Sequence, residues 1–212
     1  MSNRDGLRER KKEATRQAIS DVATELFLER GFDNVSVAEI AEAAEVSRMT
    51  VFNYFPRKED LFFDREEESR QILKAAFAER APGEAPLVTL RKLVQSLADR
   101  AHPFAKFTDA TAKFWRTVAE SPALAARARE IRDEFIDDLA TVLAGAIKRP
   151  LADADARLAA SMVVTAITVA YAEGLRAHKA RRSAASSREA FLQIMERSFS
   201  GIAAMLKNTP YA

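Results

Sequence analysis

Between Ser36 and Phe62 the chain reads SVAEIAEAAEVSRMTVFNYFPRKEDLF, and here it gathers the side chains best suited to grip another molecule. Arg48, Met49, Thr50, Phe52 and Asn53 lie within two turns of any helix that carries them. At about 100° per residue, seating Val51 on a core leaves Met49 and Asn53 on the opposite side, flanked by Thr50 and Phe52, with Arg48 at the start. An arginine can donate twice to guanine, an asparagine can pair with adenine, and Met49 or Phe52 suits a thymine methyl. From Val46 to Lys58 there are three cations, Arg48, Arg57 and Lys58, and no acid, although Glu45 and Glu59 flank the stretch. Such a local imbalance favours phosphate, and the Tyr54 hydroxyl can donate to a phosphate oxygen as well.

Other chemistry is poorly supplied. The chain has no Cys and two His, His102 and His178, which excludes a disulfide framework and a Cys/His zinc site. There is no Walker-type loop, no GxGxxG and no HExxH, and the glycines stand singly. The expectation is therefore no catalytic residue, no metal, no cofactor and no enzymatic activity. With 33 Lys and Arg against 31 Asp and Glu, the surface is nearly balanced, so any nucleic-acid site must be local. The charged N-terminus lacks the apolar stretch of a secretory signal, and a cytoplasmic protein is expected. The most apolar stretch, Leu158 to Ala172, is interrupted by Ser161, Thr165 and Thr168 and falls short of the roughly 20 residues a bilayer requires. It reads as a buried helix with no membrane partner.

The elements that must position these side chains are helical throughout. Ile19, Val22, Ala23, Leu26 and Phe27 recur at helical spacing up to Gly31, a C-cap. Ser36 and Glu39 form a capping box for a helix from Val37 to Ala44 that faces Val37, Ile40, Ala41 and Ala44 inward. After a tight turn at Glu45 and Val46, Ser47 caps a third helix, Arg48 to Tyr54, which Pro56 stops. Further helices are predicted over 58–80, 87–101, 104–120, 122–147, 154–180 and 187–207, the last opened by a second box of Ser186 with Glu189. This makes nine helices and an all-α fold, with APGEAP at 81–86 as the clearest breaker. Periodicity alone leaves the short helix pair open to a bland reading as part of a bundle, which the aromatics Phe52 and Tyr54 beside cations weaken.

The stretch LFLERGFDNVSVAEIAEAAEVSRMTVFNYFPRKEDLF resembles the DNA-binding region of TetR-family regulators over nearly its whole length. The resemblance implies a two-lobed fold, with a helix-turn-helix DNA-binding domain over 1–57 and a ligand-binding and dimerisation domain over 58–212. It implies that Arg48, Met49 and Asn53 read bases, that Thr50, Tyr54 and Lys58 hold phosphates, and that Val51 and Phe55 pack inward. Ser36 would cap the second helix and touch phosphate. Three residues depart from the pattern: Glu45 stands for a turn glycine, Phe52 for a common tyrosine, and Arg57 for a helix-capping serine. Phe52 cannot donate to phosphate, so that contact is exchanged for an apolar one with a base. The basic run Arg8, Arg10, Lys11, Lys12 and Arg16 precedes the first core positions and is open to two readings, DNA contact or a solvated helix start.

For the rest of the chain the resemblance implies a homodimer on a pseudo-palindromic double-stranded operator, released by a small-molecule inducer. The interface would use Met162, Phe191, Ile194, Met195, Phe199 and Ile202, although the 154–180 helix could also be buried by its own lobe. An inducer pocket would draw on Phe107, Phe114, Trp115, Met162 and Tyr171, with Phe104 and Phe135 nearby and His102, Arg116 or Glu173 as polar handles; core packing explains each of these singly. Arg176, Lys179, Arg181, Arg182 and Arg188 suit a helix C-terminus better than a second DNA site. An activator, an inducer-independent regulator, and an interaction module that has lost operator binding are the alternatives.

Overall fold

A computed structural model describes residues 3–180 and 183–212; before Arg10, Leu7 alone has a described side chain. Among the described residues there are ten α-helices: α1 (Asn3–Arg30), α2 (Val37–Ala43), α3 (Arg48–Tyr54), α4 (Lys58–Phe62), α5 (Glu66–Ala78), α6 (Pro86–Asp99), α7 (Asp109–Glu120), α8 (Pro122–Ala146), α9 (Ala154–Lys179) and α10 (Ala184–Met205). Short 3-10 turns occupy Phe32–Asn34 and Pro103–Ala105, and no strand occurs among the described residues. Two compact units result, 1–66 with 117–127, and 67–116 with 128–212. The sequence expectation divides the chain after residue 57 instead; in the structure α4 and the corner between α7 and α8 group with the N-terminal helices.

In the first unit α1, α2, α3 and α4 close around Ile19, Ala23, Phe27, Ile40, Val51, Phe55 and Leu61, all buried. Phe27, Phe32 and Phe62 form a ring cluster with centroids 4.9 to 6.0 Å apart. Gly31 follows α1 at φ 83°, ψ 148°, a conformation essentially restricted to glycine. The α7–α8 corner contributes buried Val118, Ser121 and Leu124 to this unit, and Ser121 Oγ donates to Asp33 Oδ1 at 3.1 Å.

The one long helix expected over 58–80 is two. It breaks at Phe63–Arg65 because Asp64 is held from α1: Arg16 donates to its carbonyl at 2.9 Å and Ser20 Oγ to its carboxylate. The basic run is likewise part of α1 and does not precede it. Arg10, Lys11 and Lys12 are exposed and Arg16 turns inward, its guanidinium 4.8 Å from the centre of the Phe55 ring, while the side chain of Arg8 lies outside the described residues.

The second unit packs α5, α6 and α8–α10, with the first part of α7, around a core of small and aliphatic side chains. α9 buries Ala156, Ala159, Ala160, Val163, Ala170 and Gly174, and α10 buries Phe191, Met195, Phe199 and Ile202. At 26 residues α9 exceeds the shorter stretch read from the sequence, and it is long and apolar enough to cross a bilayer by length and composition. Its alanine-rich face nonetheless lies in this core, and Leu158 and Val169 stand exposed on the other side.

Two boundaries shift for local reasons. Residues 104–108 stay out of α7, because the Phe104 amide donates to His102 Nδ1 in a proline-led turn and Thr108 Oγ1 accepts the Thr111 amide. α10 starts at Ala184, three residues before the predicted start at Ser187, because Ser183 caps it through the Ser186 amide at 3.1 Å and Glu189 pairs with Gln193. Tyr211, unread in the sequence, is buried; its carbonyl accepts the Leu87 amide and its phenol donates to Asp153, the N-cap of α9.

Candidate nucleic-acid interface

The local sequence builds α2 and α3 as two rigid pegs joined by a tight turn. Ser36 Oγ accepts the Glu39 amide at 3.3 Å and donates to Glu39 Oε2 at 2.7 Å, while the Ser36 amide donates to the same oxygen at 2.8 Å. Arg30 adds an ion pair at 2.6 Å. These bonds to its charged form hold the Glu39 carboxyl down at about 2, the Ser36 amide being the largest cause. The turn follows directly: Glu45 sits at φ 54°, the left-handed conformation expected where a glycine is usual. Ser47 then caps α3 by accepting the Thr50 amide at 2.9 Å, and its hydroxyl lies 2.8 Å from Thr50 Oγ1.

α3 is short enough that two anchors fix its rotation. Val51 is 0% exposed and Phe55, its C-cap, 2%. Arg48, Met49, Phe52 and Asn53 are exposed, Met49 at 69% and Phe52 at 46%, while Thr50 and Tyr54 are half-buried beside them. An exposed methionine and phenylalanine on one short helix leave apolar surface in water, which marks a binding face better than an isolated exposed residue would.

The phosphate-side candidates are less uniform. The hydroxyl of Ser36 is committed to its capping box and that of Thr50 to Ser47. Lys58 departs furthest from the expectation: its ammonium donates to the Phe32 carbonyl at 2.6 Å and sits 4.2 Å from the centre of the Phe32 ring. Burial lowers its pKa, against the raising effects of Asp33, Glu59 and Glu39. The apolar floor of Phe27 and Phe32 explains this inward turn, since an ammonium gains both a carbonyl and a ring face there. Arg57 supplies no side-chain cap for α4 where a serine is usual; what remains is the reciprocal half of a capping box, Asp60 Oδ2 accepting the Arg57 amide at 3.1 Å.

The remaining sequence candidates divide into separate places. Phe107 and Tyr171 stack 5.1 Å apart, Trp115 lies 5.8 Å from Tyr171 and Phe114 5.3 Å from Trp115. Burial raises the Tyr171 pKa. The Phe107 ring rests on the bare backbone of Gly174, where an added Cβ would meet it at 2.4 Å. Met162 does not join this cluster. Nine residues before Tyr171 on α9, it faces about half a turn away and lines a surface groove of about 470 Å³ with Thr165, Val169, Ile194, Ser198 and Gly201.

Of the expected interface residues, Met162 and Ile194 border that groove and Ile202 lies buried at its floor, whereas Phe191, Met195 and Phe199 are buried in the chain's own core. The aromatic stripe of α10 fills its own unit, leaving Ile194, Ser198 and Gly201 at the groove. His102 faces Glu68 at 3.5 Å and His178 faces Asp109 at 2.8 Å. Arg176 pairs with Glu173 and Arg188 with Asp99, while Arg181 and Arg182 lie outside the described residues.

An all-helical chain whose N-terminal unit presents a capped second helix on a buried seat has the architecture of a helix-turn-helix DNA-binding protein. Residues 19–64 match the family model of bacterial regulatory proteins of the tetR family. It is 35% identical over 98 residues to the HTH-type transcriptional regulator TcmR of Streptomyces glaucescens, covering 46% of this chain and 43% of that protein. It is 38% identical over 92 residues to AcrR of Shigella flexneri, covering 41% and 42%. The chain thus spans less than half the length of these curated relatives. In fold it is similar to NalD, the secondary repressor of the MexAB-OprM multidrug efflux pump in Pseudomonas aeruginosa, with a TM-score of 0.55 and 23% identity over 88% of this chain and 97% of that one.

Proposed function

We propose that this chain is a cytoplasmic, sequence-specific transcriptional regulator acting as a homodimeric, ligand-responsive repressor. The observation that carries the reading is the exposed face of α3, where Arg48, Met49, Phe52 and Asn53 project from a helix fixed by Val51 and Phe55. Arg48 and Asn53 supply the paired hydrogen bonds that distinguish guanine and adenine, and Met49 with Phe52 supplies contact for thymine methyls. Thr50, Tyr54 and Ser36 lie on the phosphate side. Lys58 joins them by exchanging the Phe32 carbonyl for a phosphate oxygen, which makes its net contribution to affinity smaller than that of a free cation.

A second copy would dock on the α9–α10 groove, with Met162 and Ile194 at its centre, and bring a second α3 to the other half of a pseudo-palindrome. The small molecule would enter the aromatic cluster of Phe107, Phe114, Trp115 and Tyr171, displacing Phe107 from Gly174. Selection of duplexes from a random-sequence library tests this reading. Enrichment of an inverted repeat whose half-sites are spaced by about one helical turn supports it. Recovery of no common sequence, from a protein that is folded and binds duplex, counts against it.

A further inference from the structure

We infer that Arg127 is a positioning residue for DNA binding, acting through Asp60 on the N-terminus of α4; the inference rests on the reading of the N-terminal unit as a DNA-binding one. Arg127 lies in the second turn of α8, within the corner that belongs to this unit, and its side chain is only 11% exposed. Its Nε donates to Asp60 Oδ1 at 2.8 Å and its Nη2 to Glu66 Oε2 at 3.1 Å. Asp60 is on α4 and Glu66 opens α5, so one guanidinium spans the break at Phe63–Arg65. The other carboxylate oxygen of Asp60 accepts the Arg57 amide at 3.1 Å. Arg127 therefore orients the carboxylate that caps α4, immediately after the segment carrying Tyr54, Arg57 and Lys58.

The opposite side of the break is fixed independently, by Arg16 and Ser20 on Asp64. Arg16 also stacks on Phe55, the C-cap of α3, so both sides of the break lead back to the reading helix. Glu66 and Arg127 are the residues at which the chain leaves the unit along α5 and along α8. A shift of the first turns of α8 relative to that of α5 must break this bridge. A planar guanidinium can serve two carboxylates at once, and the point charge of lysine cannot reproduce that geometry. Removing it would leave Asp60 and Glu66, both largely buried, without their shared cation.

The test compares wild type with Arg127→Met, Arg127→Lys and the charge-free triple variant Arg127→Met/Asp60→Asn/Glu66→Gln, by amide hydrogen exchange and by binding to random-sequence duplex DNA at several salt concentrations. Exchange over residues 57–66 is expected to quicken about tenfold or more in Arg127→Met, with α2 protection retained. Duplex affinity is expected to fall about tenfold with an unchanged salt slope, because Arg127 orders phosphate ligands without being one. Arg127→Lys should recover part of both, and it keeps the test open if the methionine variant does not fold. Unchanged exchange at 57–66, a uniform increase across the whole unit, or a salt slope reduced by about one ion would each overturn the assignment. Exchange needs no DNA, so a wild type that fails to bind duplex defeats the DNA-binding reading separately.

Discussion

α3 and α10 dispose of their apolar side chains in opposite ways. Within seven residues α3 buries Val51 and hands over to buried Phe55, leaving Met49 and Phe52 in water. α10 buries Phe191, Met195, Phe199 and Ile202 in its own unit, and what it shares with α9 on the outside is a groove edged by Met162, Ile194, Ser198 and Gly201. Large apolar groups left exposed next to cations belong to a helix that must meet a polar, charged partner. Along α9 and α10, by contrast, Ser198 and Gly201 lie among Met162, Val169 and Ile194, an apolar surface with small residues in it that another helix can approach closely.

The contrast can be broken first at its anchors. Replacing Phe55 by Ala should cost about 3–5 kcal/mol in chemical denaturation, whereas Leu158→Ala on the open side of α9 should stay within about 0.5 kcal/mol. Comparable losses at the two positions would mean that α3 is not seated as described. Next comes the capping box. Since the Glu39 carboxyl is held at about 2 against an ordinary 4.5, its contribution to stability is complete above pH 4.5 and is lost as pH falls toward about 2. The stability difference between wild type and Glu39→Gln should therefore be flat at neutral pH and close on acidification; a difference that persists at pH 2 would sever the link to the carboxylate. The smallest effect is expected at the turn, where Glu45→Gly relieves a left-handed residue by about 1–2 kcal/mol and returns about 0.4–1 kcal/mol through the looser unfolded chain. A modest gain in denaturation midpoint is the expected result.

Legibility in the sequence follows the range of the forces involved. The Ser36–Glu39 box and the Ser47 cap are set by neighbours within three residues, and the pattern of types reveals them, whereas the left-handed Glu45 follows only from the resemblance, which places a glycine there. The break in the fourth predicted helix is set by Ser20 and Arg16, 44 and 48 residues from Asp64, and nothing near Phe63 announces it. The dimer candidates on α10 are ambiguous in sequence because the helix is apolar on more than one side, and periodicity does not say which side its own unit takes. Tyr211 stands alone in a polar tail and so carries no period at all. Lys58 is legible as a cation beside α3; its inward turn depends on rings from Phe27 and Phe32, brought together only by folding.

The central claim is that the exposed face of α3 reads bases, and it is tested most directly by measuring binding of wild type and Arg48→Ala/Asn53→Ala to a selected duplex and to random duplex across a salt series. Each lost pair should remove about 1–3 kcal/mol of preference for the selected sequence, while random-duplex affinity falls by no more than the one charge lost with Arg48. Undiminished preference in the double variant would contradict the account.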